Sequence, residues 1–223
     1  LNQKDFTRAK ETIKFIKDKK WNSALKSASK VKDREFRNLI TWMYLKTTRN
    51  GASFSEYKKF IEQNNNYPRI NRIRFLAEGK IYLRNNSPTS IINWFDKYPP
   101  LGGMGKIKLA EAYLEKGQVD KVGELIKEGW ETATISKNDL GYYRAKFKKF
   151  IESEDHIKRA DYLAWEKKYW DLKRMLKYLP KDQRALYNAR QILMSNSYGV
   201  DNAISKVPEY LKKDPGLEFD RLR

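Results

Sequence analysis

The residues best placed for acid–base chemistry are the acidic run Glu152-Ser153-Glu154-Asp155 and the histidine that follows it, His156. A carboxyl group beside an imidazole could act as a general acid with a proton-accepting partner. The same pattern is typical of a helix N-terminus, where Ser153 would cap the first turn and the carboxylates would complement the helix dipole. Because the spacing already suits a cap, we predict a helix start here and no catalytic residue.

The densest arginine cluster falls on one predicted helix and comprises Arg69, Arg72 and Arg74, with Arg84 further along the chain. Guanidinium groups bind carboxylates and phosphates through paired hydrogen bonds. We therefore take these four arginines as candidate contacts for an anionic substrate. The alternative is a solvated helix face, or ion pairs with a neighbouring helix.

Several classes of site are excluded by composition, since the chain has no cysteine and a single histidine. Thiol nucleophiles, disulfides and thiolate metal sites cannot form, and histidine zinc sites and serine–histidine–aspartate triads are nearly ruled out. The glycine-rich segment 102–105 matches no nucleotide-binding fingerprint, because no strand precedes it and no Lys-Ser or Lys-Thr pair follows. We predict no cofactor and no metal, and a hinge near 98–105.

The balance of charge is strongly basic: 47 Lys+Arg against 28 Asp+Glu give a net charge of +19. Nucleic acid, an anionic membrane surface and an acidic polymer would all suit this charge. Nucleic acid is disfavoured because the basic residues are spread along the chain and lysine outnumbers arginine about two to one. Enrichment of lysine together with asparagine also fits compositional drift in an AT-rich genome, so the charge alone leaves drift and a functional surface open.

The aromatic residues offer a further chemistry, since six tryptophans and fourteen tyrosines could stack on sugar rings. Aromatic residues at helical spacing usually belong to the core. Contact between an exposed aromatic and a glycan stays an open alternative. No apolar run approaches the roughly 20 residues of a membrane span, so we predict no transmembrane segment.

The elements that must position these groups are all predicted to be helices. Apolar residues recur at three- and four-residue steps, and Ser53 with Glu56, Ser87 before Pro88, and Ser136 with Asp139 mark helix starts. The predicted helices are 5–18, 22–32, 34–48, 54–64, 69–84, 88–97, 104–116, 118–132, 137–149, 154–167, 169–178, 181–195, 200–212 and a short helix after Pro215.

A weak internal repeat runs through these helices, in which a turn residue and a polar or aromatic step precede the second helix of a pair. It occurs at Lys20-Trp21-Asn22-Ser23-Ala24-Leu25, Gly117-Gln118-Val119-Asp120-Lys121-Val122, Lys168-Tyr169-Trp170-Asp171-Leu172 and Gly199-Val200-Asp201-Asn202-Ala203-Ile204. The pattern resembles the hairpin turn of tetratricopeptide-type repeats, without a strict register. We predict an all-α fold with residues 1–223 as a single superhelical solenoid of short antiparallel hairpins, with a compact α-bundle as the alternative.

Motifs in order along residues 34 to 223 resemble soluble lytic murein transglycosylases of the alphaproteobacterial type. The matching segments are Gly51-Ala52-Ser53-Phe54 with Phe60, Asn66-Tyr67-Pro68, Arg72-Ile73-Arg74, Trp94-Phe95, Tyr98-Pro99-Pro100-Leu101, Leu109-Ala110-Glu111-Ala112 with Gly117, Asp155-His156 with Arg159, Asp161, Leu163 and Trp165, Arg174-Met175-Leu176, Ala189-Arg190, Val207-Pro208, Asp214-Pro215-Gly216-Leu217 and Asp220-Arg221. Gly102 stands where the family has threonine, and Tyr67 where tryptophan is usual.

The resemblance implies a helical domain that supports a C-terminal lysozyme-like catalytic domain in the periplasm. That domain cleaves the β-1,4 bond between N-acetylmuramic acid and N-acetylglucosamine to a 1,6-anhydro product, with one glutamate acting as acid and then base. The family's Gly-Leu-Met-Gln and Ala-Tyr-Asn-Ala-Gly segments are missing here, so Glu152-Ser153 takes no catalytic role from the family. Because the first residue is Leu1 rather than Met, we expect a signal peptide to have been removed or trimmed.

Three functions are therefore open. The first is a scaffold that holds peptidoglycan for its own catalytic domain, and the second is a repeat-type adaptor for protein–protein interaction. The third, binding of nucleic acid through the net charge, is the least favoured.

Overall fold

The computed structural model describes residues 3–195 and 198–222, and every regular element in them is helical. We number the α-helices α1 to α14 in chain order. They are Gln3–Lys17, Trp21–Ala28, Arg34–Lys46, Phe54–Gln63, Ile70–Glu78, Pro88–Lys97, Gly103–Glu115, Gly123–Thr132, Lys137–Lys146, Ser153–Trp165, Tyr169–Met175, Lys181–Met194, Val200–Ser205 and Pro215–Arg221. Three short 3₁₀ helices lie at Val119–Lys121, Leu176–Tyr178 and Glu209–Leu211. The all-α fold class is confirmed for the described residues.

The chain forms two compact units, Leu1–Tyr82 and Leu83–Arg223. In the first unit, consecutive helices from α1 to α5 pack against one another, and α3 also packs against α5. Its core contains Ile40, Phe60 and Ile73, which are buried at these contacts. The buried Tyr57 hydroxyl donates to the Leu45 carbonyl at 2.8 Å, and burial raises the pKa of Tyr57.

The second unit is built from α6 to α14, with α7 packed on both α6 and α8. Its core is one continuous cluster that includes Ile107, Trp130 and Phe147. At the α7–α8 contact two glycines allow the backbones to approach closely: a Cβ on Gly103 would lie 2.5 Å from the Ala133 nitrogen, and one on Gly129 would lie 2.9 Å from the Gly103 carbonyl. The segment 98–105 thus leads into a tightly packed helix inside the second unit. The division between the units falls at Tyr82, and the hinge near 98–105 stays a prediction.

The helix starts predicted from Ser53, Ser87 and Ser136 are confirmed. Ser53 and Glu56 form a reciprocal capping box at α4, with distances of 3.3 Å and 2.8 Å between backbone nitrogen and side-chain oxygen. The Ser87 side chain caps α6 ahead of Pro88, and Ser136 caps α9. Each side chain accepts a hydrogen bond from a backbone N–H that has no partner within the helix.

Several predicted helix boundaries are wrong, and the three largest errors are the following. The helix predicted over 69–84 ends at Glu78 and is followed by Gly79. The segment 200–212 is interrupted before Pro208, because proline cannot donate the hydrogen bond that continues a helix. The segment 118–132 begins as a 3₁₀ turn and becomes α-helical only at Gly123.

The weak sequence repeat corresponds to a repeated backbone turn. Lys19, Gly117 and Lys167 each adopt a left-handed conformation, with φ of 57°, 71° and 54°. The next residue has nearly the same dihedrals in all three turns, φ −84° to −89° and ψ 65° to 66°. Its N–H donates to the carbonyl five residues earlier at 2.8–3.0 Å, and the left-handed residue donates to the carbonyl three residues earlier at 2.9–3.1 Å. This is the Schellman ending of a helix.

The fourth repeat differs, since Gly199 is left-handed with φ 90° and itself caps α13. Three helical hairpins therefore share one turn geometry, although their sequences share no glycine. The superhelical stacking of these hairpins stays a prediction.

Candidate functional site

The four candidate arginines do not lie on one helix. Arg69 precedes α5 as its N-cap residue, is exposed, and has a left-handed backbone with φ 55°. Arg72 and Arg74 lie within α5, and Arg84 is an exposed residue of the second unit, beyond the end of α5. The prediction of a single helix over all four is wrong because α5 stops at Glu78.

Within α5, Arg72 and Arg74 point to different sides. Residues two apart on a helix differ by about 200° around its axis. Arg72 is exposed and its guanidinium lies 5.4 Å from the centre of the Phe75 ring, whereas Arg74 is half-buried and donates to the Asn71 side chain at 3.2 Å. Only Arg69 and Arg72 share an exposed side of the first unit that could meet a ligand.

Helix α3 brings aromatic rings to this region. The Trp42 indole N–H donates to the carbonyl of Pro68, the residue before Arg69, at 2.8 Å. The Trp42 and Tyr67 rings lie 6.0 Å apart between centroids, and the Lys46 ammonium lies 3.6 Å from the centre of the Trp42 ring. We call the set Trp42, Lys46, Tyr67, Arg69 and Arg72 the aromatic–cation surface.

The cations of the aromatic–cation surface are not neutralised by carboxylates. Lys46, Arg69 and Arg72 form no ion pair with any residue in 3–195 or 198–222. Desolvation, and then the nearby charge of Glu35, raise the pKa of Tyr67, so its phenol is neutral at physiological pH. The surface thus offers half-buried rings beside positive charges that are available to an anionic ligand.

The sequence analysis included Trp42 only as one of six tryptophans that could stack on sugar rings, and it did not include Lys46. Both lie on α3, and the packing of α3 against α5 brings Trp42 next to Pro68. The spacing of Trp42 and Lys46, one helical turn apart, is a weak signal that could have paired them. Tyr67 was noticed only because it departs from the family pattern.

The acidic run before His156 forms a helix start, as predicted, but the cap residue is different. Glu152 occupies the N-cap position of α10, where Ser153 was predicted, and the Asp155 carboxylate accepts from the Glu152 N–H at 2.8 Å. Lys127 pairs with both Glu152 and Asp155, at 3.4 Å and 3.8 Å.

His156 is half-buried, and its Nδ1 accepts from the Trp130 indole N–H at 3.2 Å. Desolvation, followed by the charge of Arg144, lowers the pKa of His156. A neutral imidazole that holds an indole in the core has a packing role, and the geometry gives the acidic run no imidazole partner for acid–base chemistry.

Residues from the C-terminal motifs converge on the buried Arg190. Its side chain is 1% exposed and pairs with Asp161 and Asp220, each at 2.8 Å. A Cβ at Gly216 would overlap the Arg190 guanidinium, so a larger residue where α14 crosses this side chain would force the guanidinium to shift. This cluster joins α10, α12 and α14 and is a structural element.

A second, partly buried polar network joins α7 to α9. The Lys108 ammonium, 3% exposed as a residue, donates to the Tyr143 hydroxyl at 2.6 Å, and burial lowers the pKa of Lys108. The Tyr142 hydroxyl donates to Glu111 at 2.5 Å, and Lys146 lies 3.3 Å from the same carboxylate. Every member has a partner, so the network supports packing rather than a reaction.

The remaining tryptophans divide between core and surface. Trp94 and Trp130 are buried, whereas Trp165 and Trp170 are exposed. Trp170 is 66% exposed, and the Lys173 ammonium lies 5.4 Å from the centre of its ring. The second unit therefore has its own exposed pairing of an aromatic ring with a cation.

No helix among the described residues is long and apolar enough to cross a membrane. No protein-family model, curated protein or solved structure matches this chain.

Proposed function

We propose that this chain is the helical scaffold domain of a soluble lytic murein transglycosylase and holds peptidoglycan in the periplasm for a catalytic domain that lies outside these residues. Its hairpins would stack as a superhelix, with exposed rings and cations contacting the polymer. No residue of this chain takes a catalytic role in the proposal.

Support for the parent family comes from the ordered motifs along residues 34–223. The C-terminal motifs contribute Asp161, Arg190, Gly216 and Asp220 to one ion cluster, and Asp155 and His156 both lie at the start of α10. Residues that carry the resemblance are thus ones on which the packing of the second unit depends. In a domain without a catalytic centre, motif residues are expected to support the fold in this way.

The single observation that carries the binding role is the aromatic–cation surface. Peptidoglycan is a chain of sugar rings with carboxylates on its lactyl groups and stem peptides. Aromatic rings pack against the apolar faces of sugars, and Lys46, Arg69 and Arg72 can pair with the carboxylates. The net charge of +19 would add a long-range attraction that salt screens.

The test is a pull-down with purified cell-wall sacculi. The variant Lys46→Gln/Arg69→Asn/Arg72→Gln removes three charges from the surface and keeps at position 69 a residue that tolerates the left-handed conformation. The matched control, Lys26→Gln/Lys30→Gln/Lys59→Gln, removes three exposed charges of the same unit from other places.

We expect the native chain to bind sacculi and to be released by added salt. The surface variant should bind several-fold less, and the control variant should bind almost as well as the native chain. If both variants bound sacculi equally well, the net charge alone would account for the binding. Stronger binding to single-stranded DNA than to sacculi at the same salt concentration would favour a nucleic-acid function, because stacked bases and phosphates suit the same groups.

A further inference from the structure

Helix α1 carries an open groove on its outer side. The groove is lined by Phe6, Ala9, Lys10, Ile13, Lys14 and Lys17, all from α1 itself. Phe6 is 45% exposed and Ile13 is 38% exposed, although both are large and apolar. The side of α1 that packs on α2 is different, since its buried residues are Asp5, Ala9 and Thr12. Ala9 is the only one of the six residues lining the groove that is also among these buried residues.

The spacing of the lining residues has the geometry that receives a side chain from another helix. In helix–helix packing a knob enters a hole formed by residues i, i+3, i+4 and i+7. Phe6, Ala9, Lys10 and Ile13 form such a hole, with the small Ala9 at its floor.

A second hole of the same kind continues along α1. It is formed by Lys10, Ile13, Lys14 and Lys17, so the two holes share Lys10 and Ile13. A docked helix could place one side chain in each hole, with the exposed Phe6 and Ile13 as its apolar contacts.

The charged residues that line the groove are all lysines. None of Lys10, Lys14 and Lys17 forms an ion pair with a residue that the structure describes, and the Lys10 ammonium lies 4.8 Å from the centre of the Phe6 ring. No carboxylate lines the groove. A second copy of α1 would oppose lysines with lysines, so charge complementarity selects an acidic occupant.

We propose that α1 is a docking site for an amphipathic helix of a partner protein, which places an apolar side chain between Phe6 and Ile13 and sets glutamates or aspartates against Lys10, Lys14 and Lys17. A membrane surface fits less well, because the groove offers only two large apolar side chains for insertion. The interaction is independent of the aromatic–cation surface and is a protein–protein contact.

The probe is a fluorescein-labelled helical peptide of about three heptads, with leucine at positions a and d and glutamate at e and g; the same peptide with lysine at e and g is the control. Binding is measured by fluorescence anisotropy at low salt. We expect the acidic peptide to bind the native chain and the basic peptide not to bind.

Two variants test the groove. Phe6→Ala/Ile13→Ala should raise the Kd for the acidic peptide roughly tenfold or more, because these exposed side chains contribute to binding but little to folding. Lys10→Glu/Lys14→Glu/Lys17→Glu should reverse the preference so that the basic peptide binds. Lys26→Glu/Lys32→Glu/Lys59→Glu has the same net charge and should leave the preference unchanged.

Far-UV circular dichroism would show whether each variant keeps its helices. Four results would overturn the proposal: absence of binding by the acidic peptide, binding unaffected by both groove variants, self-association that Phe6→Ala/Ile13→Ala removes, or groove-dependent binding to anionic phospholipid vesicles without binding to the peptide.

Discussion

At the scale of single residues, burial and partners separate the cations that hold the fold from those available to a ligand. Arg190 is enclosed by Asp161 and Asp220, and Arg159 lies under the Trp130 ring, 5.2 Å from its centre, where burial lowers its pKa to about 10. Lys46 and Arg72 lie instead against rings at the surface without a carboxylate. A buried charge loses its hydration and therefore needs its partners, whereas an exposed cation beside a ring can accept new ones.

Two glycine-to-alanine changes, one at the Arg190 cluster and one in α9, should have opposite effects on the free energy of unfolding. Gly216→Ala should destabilise the chain by about 2–3 kcal/mol, because the new methyl group displaces a guanidinium that two carboxylates hold. Gly141→Ala, in the open and exposed middle of α9, should stabilise it by up to about 1 kcal/mol through helix propensity. Urea unfolding measures both. A neutral Gly216→Ala variant would mean that Arg190 can move without loss.

His156 predicts a loss of stability in mild acid. Its pKa in the folded chain lies below the ordinary value of about 6.5, so the unfolded chain takes up the proton first as the pH falls. His156 should not affect the free energy of unfolding well above pH 6.5, and this free energy should decline as the pH falls below 6.5. His156→Gln, whose amide oxygen can still accept from Trp130, should lose up to about 1 kcal/mol less between about pH 7.5 and 5.5. Identical declines in the two proteins would contradict a neutral, buried His156.

At the scale of elements, the hairpin turn recurs with nearly constant geometry while its sequence changes. The left-handed position is glycine in one turn and lysine in two, Lys19 and Lys167. A side chain in this conformation costs about 1 kcal/mol, since its Cβ approaches the following carbonyl. The repeat is therefore clearer in backbone geometry than in sequence, which explains why no strict register could be found.

This turn geometry predicts that Lys167→Gly stabilises the chain by about 0.5–1 kcal/mol. The reciprocal change, Gly117→Ala, should destabilise it by a similar amount, and purely through conformation, because a Cβ at Gly117 would meet nothing within 4 Å. Thermal unfolding of the two variants would show shifts of opposite sign. A destabilised Lys167→Gly variant would contradict the Schellman assignment.

Helix existence could be predicted from the three- and four-residue periodicity, and helix starts from serine caps, because both depend on neighbouring residues. Helix ends were harder. Helix α5 stops before Gly79, and the chain then turns towards Ile81, which is buried in the core. The 3₁₀ turn at Val119 has no periodic pattern in the sequence. Local sequence marks where a helix can begin, whereas tertiary packing decides where it stops.

At the scale of the whole molecule, the residues of the aromatic–cation surface come from distant parts of the sequence. Arg69 and Arg72 were predicted as anionic contacts, but the rings that accompany them depend on Trp42 reaching the Pro68 carbonyl. Arg74 and Arg84 fell into the predicted cluster by sequence proximity alone. Contacts across 26 residues leave no pattern in a single sequence, so the sequence could not show that Trp42 lies beside these arginines.

The net charge of +19 has two possible origins, drift in composition or a functional binding surface. Drift in composition would produce a uniform positive surface, whose binding depends on how many charges a ligand neutralises. A functional surface would depend on a few positions and on the carboxylates of the ligand. The two explanations therefore differ in a measurable way.

We propose above all that the aromatic–cation surface binds the carboxylate-bearing glycan of peptidoglycan. The most direct measurement compares the Kd of the native chain and of Lys46→Gln/Arg69→Asn/Arg72→Gln for soluble peptidoglycan strands, with and without chemical amidation of the carboxylates. We predict that amidation weakens binding by the native chain roughly tenfold or more and weakens binding by the variant less, since the variant lacks three cations that can each form a charge-assisted pair contributing about 1.5–3 kcal/mol. Equal affinity of the native chain for both kinds of strand would contradict the claim.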